Sequence, residues 1–424
     1  MRISSILREI HLHYFFLFII GFCSVTPAIA GDNDCEPFSL TEKGGSMANV
    51  PVRDQGNIGT CYAYTAASAI DAWRFSAKPP GDPSFHTSPH AAAIGERINS
   101  TPSERAKANL RVTLTPGKAP VSGGLEVDAV IAAKKQGICS YEALGANFGN
   151  SIYQKDPNSF WTQVKNFYDF YHKQYMNALK SGSEEEALKI LNEAKESLGS
   201  QLCLANFKPK QKNFEDIKQV KTFLLSDDVF DGLKILSDKL CAGQTIKLPP
   251  EFPDKPKMFL RTSIPIVGAF ENPKAKRLIF QRVISAMLNF KNRQPLMIAY
   301  NSQVLSNPLV VANSGHASLI IGRGRLTDGR CGYLIRNSWG ADGDGLGSTD
   351  RLDMNGDILV AEDDLIGSLH DVSVLPPQGE EYKPPKDLYD GVAEILNSPL
   401  PGQRGMGGGP FGSGGYGPIP NGGQ

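Results

Sequence analysis

The stretch Gln55-Gly56-Asn57-Ile58-Gly59-Thr60-Cys61-Tyr62 sets a side-chain amide six positions before a thiol, at the threshold of a run of small apolar residues. Ala63, Ala66, Ala67, Ala69 and Ile70 come at spacings that suit a buried helix, so Cys61 is expected in its first turn. Unpaired backbone N–H groups and the helix dipole favour a thiolate there, which is the reactive form. Gly56 and Gly59 allow a bend that returns Gln55 beside the sulfur, where its NH₂ and a backbone N–H would make an oxyanion hole.

A thiol used in this way needs a base. Of the seven histidines, His316 has the fitting surroundings: Asn313-Ser314-Gly315-His316-Ala317-Ser318 leaves space around an imidazole before the apolar run Leu319-Ile320-Ile321. A neutral imidazole at the mouth of that strand takes a thiol proton. The next apolar run, Tyr333-Leu334-Ile335, leads into Arg336-Asn337-Ser338-Trp339-Gly340, so two consecutive strands are expected to present His316 and Asn337 side by side. The Asn337 oxygen would fix the imidazole tautomer, and the Trp339 indole would cover that hydrogen bond. His86, His90, His172 and His370 read most simply as surface residues.

Together these three stretches resemble the papain-like cysteine peptidases, in the form of a bacterial-type secreted member. The resemblance spans about residues 51–375 with one long interruption. It implies Cys61 as nucleophile, His316 as base and then acid, Asn337 as orienting group, and Gln55 with the Cys61 N–H as oxyanion hole. It also implies that Gly123 and Gly124, in Ser122-Gly123-Gly124-Leu125, bind substrate backbone. Thr87-Ser88-Pro89 before a helical run, and Gln294-Pro295-Leu296-Met297-Ile298-Ala299 before the histidine strand, fall in the family's order. The implied architecture is α+β and two-lobed, a helical lobe facing an antiparallel β-rich lobe, with an inserted helical subdomain.

Some positions depart from the family's pattern. Ile58 stands where members usually carry a disulfide cysteine, and Tyr62 replaces the usual tryptophan. About 250 positions separate Cys61 from His316, against roughly 130–150 in the family, so material has been inserted between the lobes. After Trp339 the chain turns acidic and glycine-rich, Ala341-Asp342-Gly343-Asp344-Gly345-Leu346-Gly347.

The N-terminus carries Arg2 and Arg8, an apolar run from Tyr14 to Cys23, and Ala28-Ile29-Ala30, which reads as a signal peptide over residues 1–30 of a secreted or periplasmic protein. The run is short for a membrane span, and none is expected in the mature chain. With 44 basic and 44 acidic residues the formal net charge is zero, which gives no electrostatic argument for a nucleic-acid partner. Six cysteines follow the leader: Cys35, Cys61, Cys139, Cys203, Cys241 and Cys331. With Cys61 free, two disulfides and a spare thiol are possible, their pairing unreadable from spacing. No zinc-ligand spacing occurs and no metal or other cofactor is expected. The acidic cluster Asp342, Asp344, Asp350, Asp353, Asn355 and Asp357 misses the EF-hand pattern and reads as a solvated loop.

Between about residues 150 and 274 helical patterns dominate. Ser183-Glu184-Glu185-Glu186 is a capping box ahead of Leu188, Ile190, Leu191 and Leu198. A second helix is expected from Ser226, with Asp227 and Asp228 in its first turn and Val229, Leu233, Leu236 and Leu240 inward, and a third from Phe160-Trp161 through Tyr175. Such stripes pack a subdomain, or screen the cleft in place of a pro-region that the short interval from Gly31 to Pro51 does not supply. From Pro376 the chain is Pro- and then Gly-rich and is expected to be disordered to residue 424. The expected function is peptide-bond hydrolysis on protein or peptide substrates. The rivals are a catalytically silent papain-like binder and a transpeptidase.

Overall fold

The computed structural model describes residues 35–56, 59–101, 103, 123–148, 157–201, 217–226, 228–241, 243–261, 273–288, 293–305, 315–340, 353–354 and 356–380. The expected signal peptide, Cys203, the loop over 341–352 and the chain beyond 380 lie outside these residues.

The helices, in order, are α1 Cys61–Ser76, α2 Pro89–Asn99, α3 Glu126–Gln136, α4 Tyr141–Phe148, α5 Pro157–Lys180, α6 Glu184–Gln201, α7 Ile217–Leu224, α8 Val229–Leu240, α9 Pro273–Leu288 and α10 Glu362–Ser368. The strands are β1 Phe38–Ser39, β2 Ile138–Cys139, β3 Thr245–Ile246, β4 Lys257–Arg261, β5 Leu296–Asn301, β6 Gly315–Arg325, β7 Cys331–Arg336, β8 Asp353–Met354, β9 Asp357–Ala361 and β10 Leu369–Val374. The fold is α+β, as expected: α1, α2 and α3 pack on one another beside an eight-stranded antiparallel sheet. The sheet runs β4-β10-β5-β6-β7-β9-β8, with β1 added to the far end of β6.

Alternation along the central strands explains why they read as continuous apolar runs. Met297, Leu319 and Ile321 join the core shared with α1, whereas Leu296, Ile298 and Ile320 join a second core against α9. Each strand therefore buries both faces, and α9 is a layer that local patterning did not announce. Its Ala275, Ile279, Val283 and Met287 repeat every four residues, all fully buried.

The helices over 157–240 follow the local signals. Ser183 Oγ accepts from Glu186 N at 3.3 Å, which is the backbone half of the expected capping box, and Asp228 caps α8 by accepting from Phe230 N and Asp231 N. α8 packs on α2 and α4, and Cys139–Cys241 ties that end of the insert to β2. Beyond α8, β3 pairs with β2 and β4 pairs with β10, so this part of the expected insert belongs to the two lobes. A second disulfide, Cys35–Cys331, fastens the chain before β1 to β7.

Two expectations about loops are corrected. Pro376 and Pro377 are buried, and Trp73 Nε1 donates to Pro376 O at 2.9 Å, so the ordered body extends past the first prolines of the tail. Asp357 of the acidic cluster is buried and forms a two-pronged ion pair with Arg336, whose Nη1 also donates to Val50 O. Asp342, Asp344, Asp350 and Asn355 fall outside the described residues.

Candidate active site

Cys61 opens α1, half-buried, behind Thr60, whose side chain makes no cap bond. α1 lies against β6, and the Ala317 backbone is close enough to the Cys61 sulfur to work against the rise in its pKa. The thiol thus meets the strand one residue past His316. Leu319 pairs with Arg336 in the β6–β7 register, which sets Ser318 opposite Asn337 and brings His316 within reach of it. His316 Nε2 and Asn337 Oδ1 are 2.7 Å apart and buried. Asn337 Oδ1 also accepts from Ser338 N at 2.8 Å and from Ser318 Oγ at 3.4 Å, so an N–H donor fixes which end of the amide is oxygen. The Trp339 ring lies 5.0 Å from the imidazole, tilted by 38°, and Tyr300, paired across β5, meets it edge-on at 5.6 Å.

Residues 53–55 run as a short extra strand along 338–340. Gln55 N donates to Ser338 O at 2.8 Å, Gly340 N donates to Arg53 O at 3.2 Å, and Asp54 bridges Trp339 in antiparallel fashion. Ser338 Oγ donates to Gln55 Oε1, so the oxygen is the end of that amide turned toward residue 338. Gly56 then turns at φ +58°, its N–H held by Asp54 Oδ1 at 2.7 Å. The same segment is bolted to α1: Arg53 Nη1 donates to Ser68 Oγ at 2.7 Å and Nη2 reaches Asp71 Oδ2 at 2.5 Å, while Asp71 also receives Arg74, Thr87 N and Thr87 Oγ1. The loop therefore registers the helix carrying Cys61 against the strand end carrying Asn337.

Gly123 and Gly124 are built onto the loop ahead of Cys61. Gly123 N donates to Gly59 O at 2.6 Å, and Arg97 Nη2 donates to Gly123 O. A Cβ on Gly124 would lie 2.7 Å from the Tyr62 ring, so the residue after Cys61 requires glycine there.

The electrostatics correct one expectation. Burial pushes the Cys61 thiol up to about 11, outweighing the hydrogen bonds from Ala317 and from the first turn of α1, and the helix terminus does not yield a resting thiolate. Burial also pushes the His316 imidazolium down to about 4 against the opposing hydrogen bond to Asn337. At neutral pH the pair rests as thiol and neutral imidazole. His90, expected on the surface, is buried edge-on against Tyr64, with its pKa lowered to about 3 by burial and by Arg53. Its place at i with Ala93, Ile94 and Arg97 at i+3, i+4 and i+7, on one buried face, was the sequence signal for it.

No protein-family model and no curated protein matches the chain. Among solved structures it is similar to procathepsin B S9 from Trypanosoma congolense, at 13% identity and a TM-score of 0.37 over 81% of this chain and 77% of that one. It is also similar to the bromelain protease from Ananas comosus in complex with the E64 inhibitor, at 13% identity and a TM-score of 0.35 over 80% and 98%. A third similarity is to the ragweed pollen allergen Amb a 11 cysteine protease in its proform, at 14% identity and a TM-score of 0.32 over 77% and 62%.

Proposed function

We propose that the chain is an exported papain-like cysteine endopeptidase. The observation that carries this reading is the buried 2.7 Å His316–Asn337 hydrogen bond beside Trp339, on a strand packed against the helix that Cys61 opens. A core histidine needs a hydrogen-bond partner, but it does not need a free thiol at the start of the helix packed on its strand, or a glutamine amide tied to the residue after Asn337.

In the reaction, His316 Nδ1 takes the Cys61 proton as sulfur attacks the scissile carbonyl carbon. Gln55 and the Cys61 N–H hold the oxyanion, and His316 returns the proton to the leaving amine. Water, deprotonated by the same imidazole, then hydrolyses the thioester. Desolvation of both groups keeps proton transfer between neutral partners, so the charge-separated form is reached only with substrate in place. Gly123 and Gly124 hold the acyl-side backbone. Two disulfides support an exported protein, and no helix of the described residues is long and apolar enough to cross a membrane.

The experiment is labelling of the purified full chain with an epoxide peptidyl electrophile, followed by peptide mapping, and hydrolysis of unfolded protein by the parent and by Cys61→Ala. Label on Cys61 with activity abolished in Cys61→Ala supports the reading, and equal cleavage by both proteins sinks it. The resting thiol, pushed up by burial, favours one second reading, a silent binding protein on the same framework. That reading is the one left if the electrophile spares Cys61 while the protein stays folded.

A further inference from the structure

Against Asn337 lies a small space of about 10 Å³, lined by Arg53, Tyr64, Thr65, Ser68, Leu319, Arg336, Asn337 and Ser338. Two buried donors on this lining have no hydrogen-bond partner among the described residues: Arg53 Nε and Asn337 Nδ2. They come from the two sides of the molecule, one from the segment ahead of α1 and the other from the end of β7. Both residues are more than nine-tenths buried, Arg53 at 7% exposure and Asn337 at 4%.

Buried donors of this kind find an acceptor, because an unpaired N–H out of water is costly. Its chemistry is narrowly set. A space of this size admits roughly one water-sized molecule. Arg336 is compensated by Asp357, whereas Arg53 shares Asp71 with Arg74, so it is the size of the space, with room for about one water, that excludes a larger anion such as bromide. Ser68 Oγ accepts one bond from Arg53 Nη1, and Ser338 Oγ donates to Gln55; both oxygens keep lone pairs for the hydrogens of a guest.

We infer that this space is a binding site for a single water molecule, which accepts from Arg53 Nε and Asn337 Nδ2 and so holds the Asn337 amide with Oδ1 toward His316. Arg53 is then a positioning residue acting through solvent. The direct bonds to Oδ1 fix one end of the amide and the water satisfies the other, so either orientation error leaves an unmatched pair. The site is independent of the peptidase reading, since its test is read in density and not in turnover.

The test is a crystal structure of the full mature chain at atomic resolution, with a bromide soak in parallel. The expected result is one solvent peak within hydrogen-bond distance, about 2.7–3.2 Å, of both donors, and no anomalous signal from bromide. Absence of the peak, a peak touching only one donor, or bromide in the space overturns the proposal. Ser68→Thr keeps the hydroxyl for Arg53 and adds a methyl to the wall. In that variant the peak is expected to vanish and the Asn337 amide to shift, with a longer contact to His316. A vanished peak with the amide unchanged overturns the positioning role, and because the parent structure alone decides occupancy, failure of Ser68→Thr to fold leaves the site falsifiable.

Discussion

Ser338 donates its hydroxyl to Gln55 Oε1 while its backbone N–H donates to Asn337 Oδ1, so one residue orients both amides that flank the thiol–imidazole pair. The first of these bonds depends on a side chain and the second does not. Substitution at 338 therefore separates them.

In Ser338→Ala the Asn337 contact survives and the Gln55 amide is released to rotate. Turnover of a peptide amide is expected to fall about threefold to tenfold with KM little changed, whereas Gln55→Ala, which removes the proposed oxyanion donor itself, is expected to lower it by about ten- to a thousandfold. Steady-state kinetics with a melting curve for each variant checks both. A collapsed melting temperature in Gln55→Ala would point to a structural glutamine.

Alkylation of Cys61 by iodoacetamide reports its protonation directly. With the thiol pushed up to about 11 and the imidazole down to about 4, the rate is expected to climb steadily from pH 6 toward pH 10. An ion pair would instead give a plateau reaching down to acidic pH. A flat profile from pH 5 to 8 would show that the resting pair is already ionised.

Two buried histidines make stability fall in acid. His316 and His90 have folded-state pKa values of about 4 and about 3, both below the roughly 6.5 of an unfolded histidine. Below pH 6.5 the unfolded chain therefore binds protons that the native chain refuses, and stability drops as the pH falls toward 4 and then 3. Thermal melts from pH 8 to 4 should be level above 6.5 and decline below it. His90→Gln should shallow the decline; an identical slope would mean that His90 is accessible to protons in the native state.

The Cys139–Cys241 bridge closes a loop over a sequence separation of 102 and docks α8 on the helical lobe. Replacing both cysteines by serine should lower the unfolding free energy by about 2–5 kcal/mol, measured by urea titration under non-reducing conditions. A change under 1 kcal/mol would mean that the docking of α8 on α2 and α4 holds the insert without the bridge.

The parts legible in the sequence were those set by local spacing. The helix behind Cys61, the strands carrying His316 and leading to Asn337, and the Ser183 cap each follow from a few neighbouring residues, whereas the helix expected from Ser226 starts at Val229, with Asp228 as its cap and not in its first turn. What was missed depends on distant partners. β4 has little apolar periodicity of its own and is a strand because β10 offers it an edge. Pro376 reads as the start of a tail, yet its carbonyl is the acceptor that buried Trp73 needs. Disulfide pairing is a statement about proximity, which spacing does not encode. The resting charge of Cys61 was misread because the helix terminus is visible in sequence and desolvation is not.

Burial raises the Cys61 thiol well above neutral pH, so at pH 7 it rests protonated. Thiol–disulfide exchange and oxidation to sulfenic acid both proceed through the thiolate. The described residues hold two disulfides and one free cysteine, Cys61, which as a thiolate could exchange with them. The burial that keeps Cys61 protonated thus acts as chemical insulation, slowing both its exchange with the two disulfides and its oxidation.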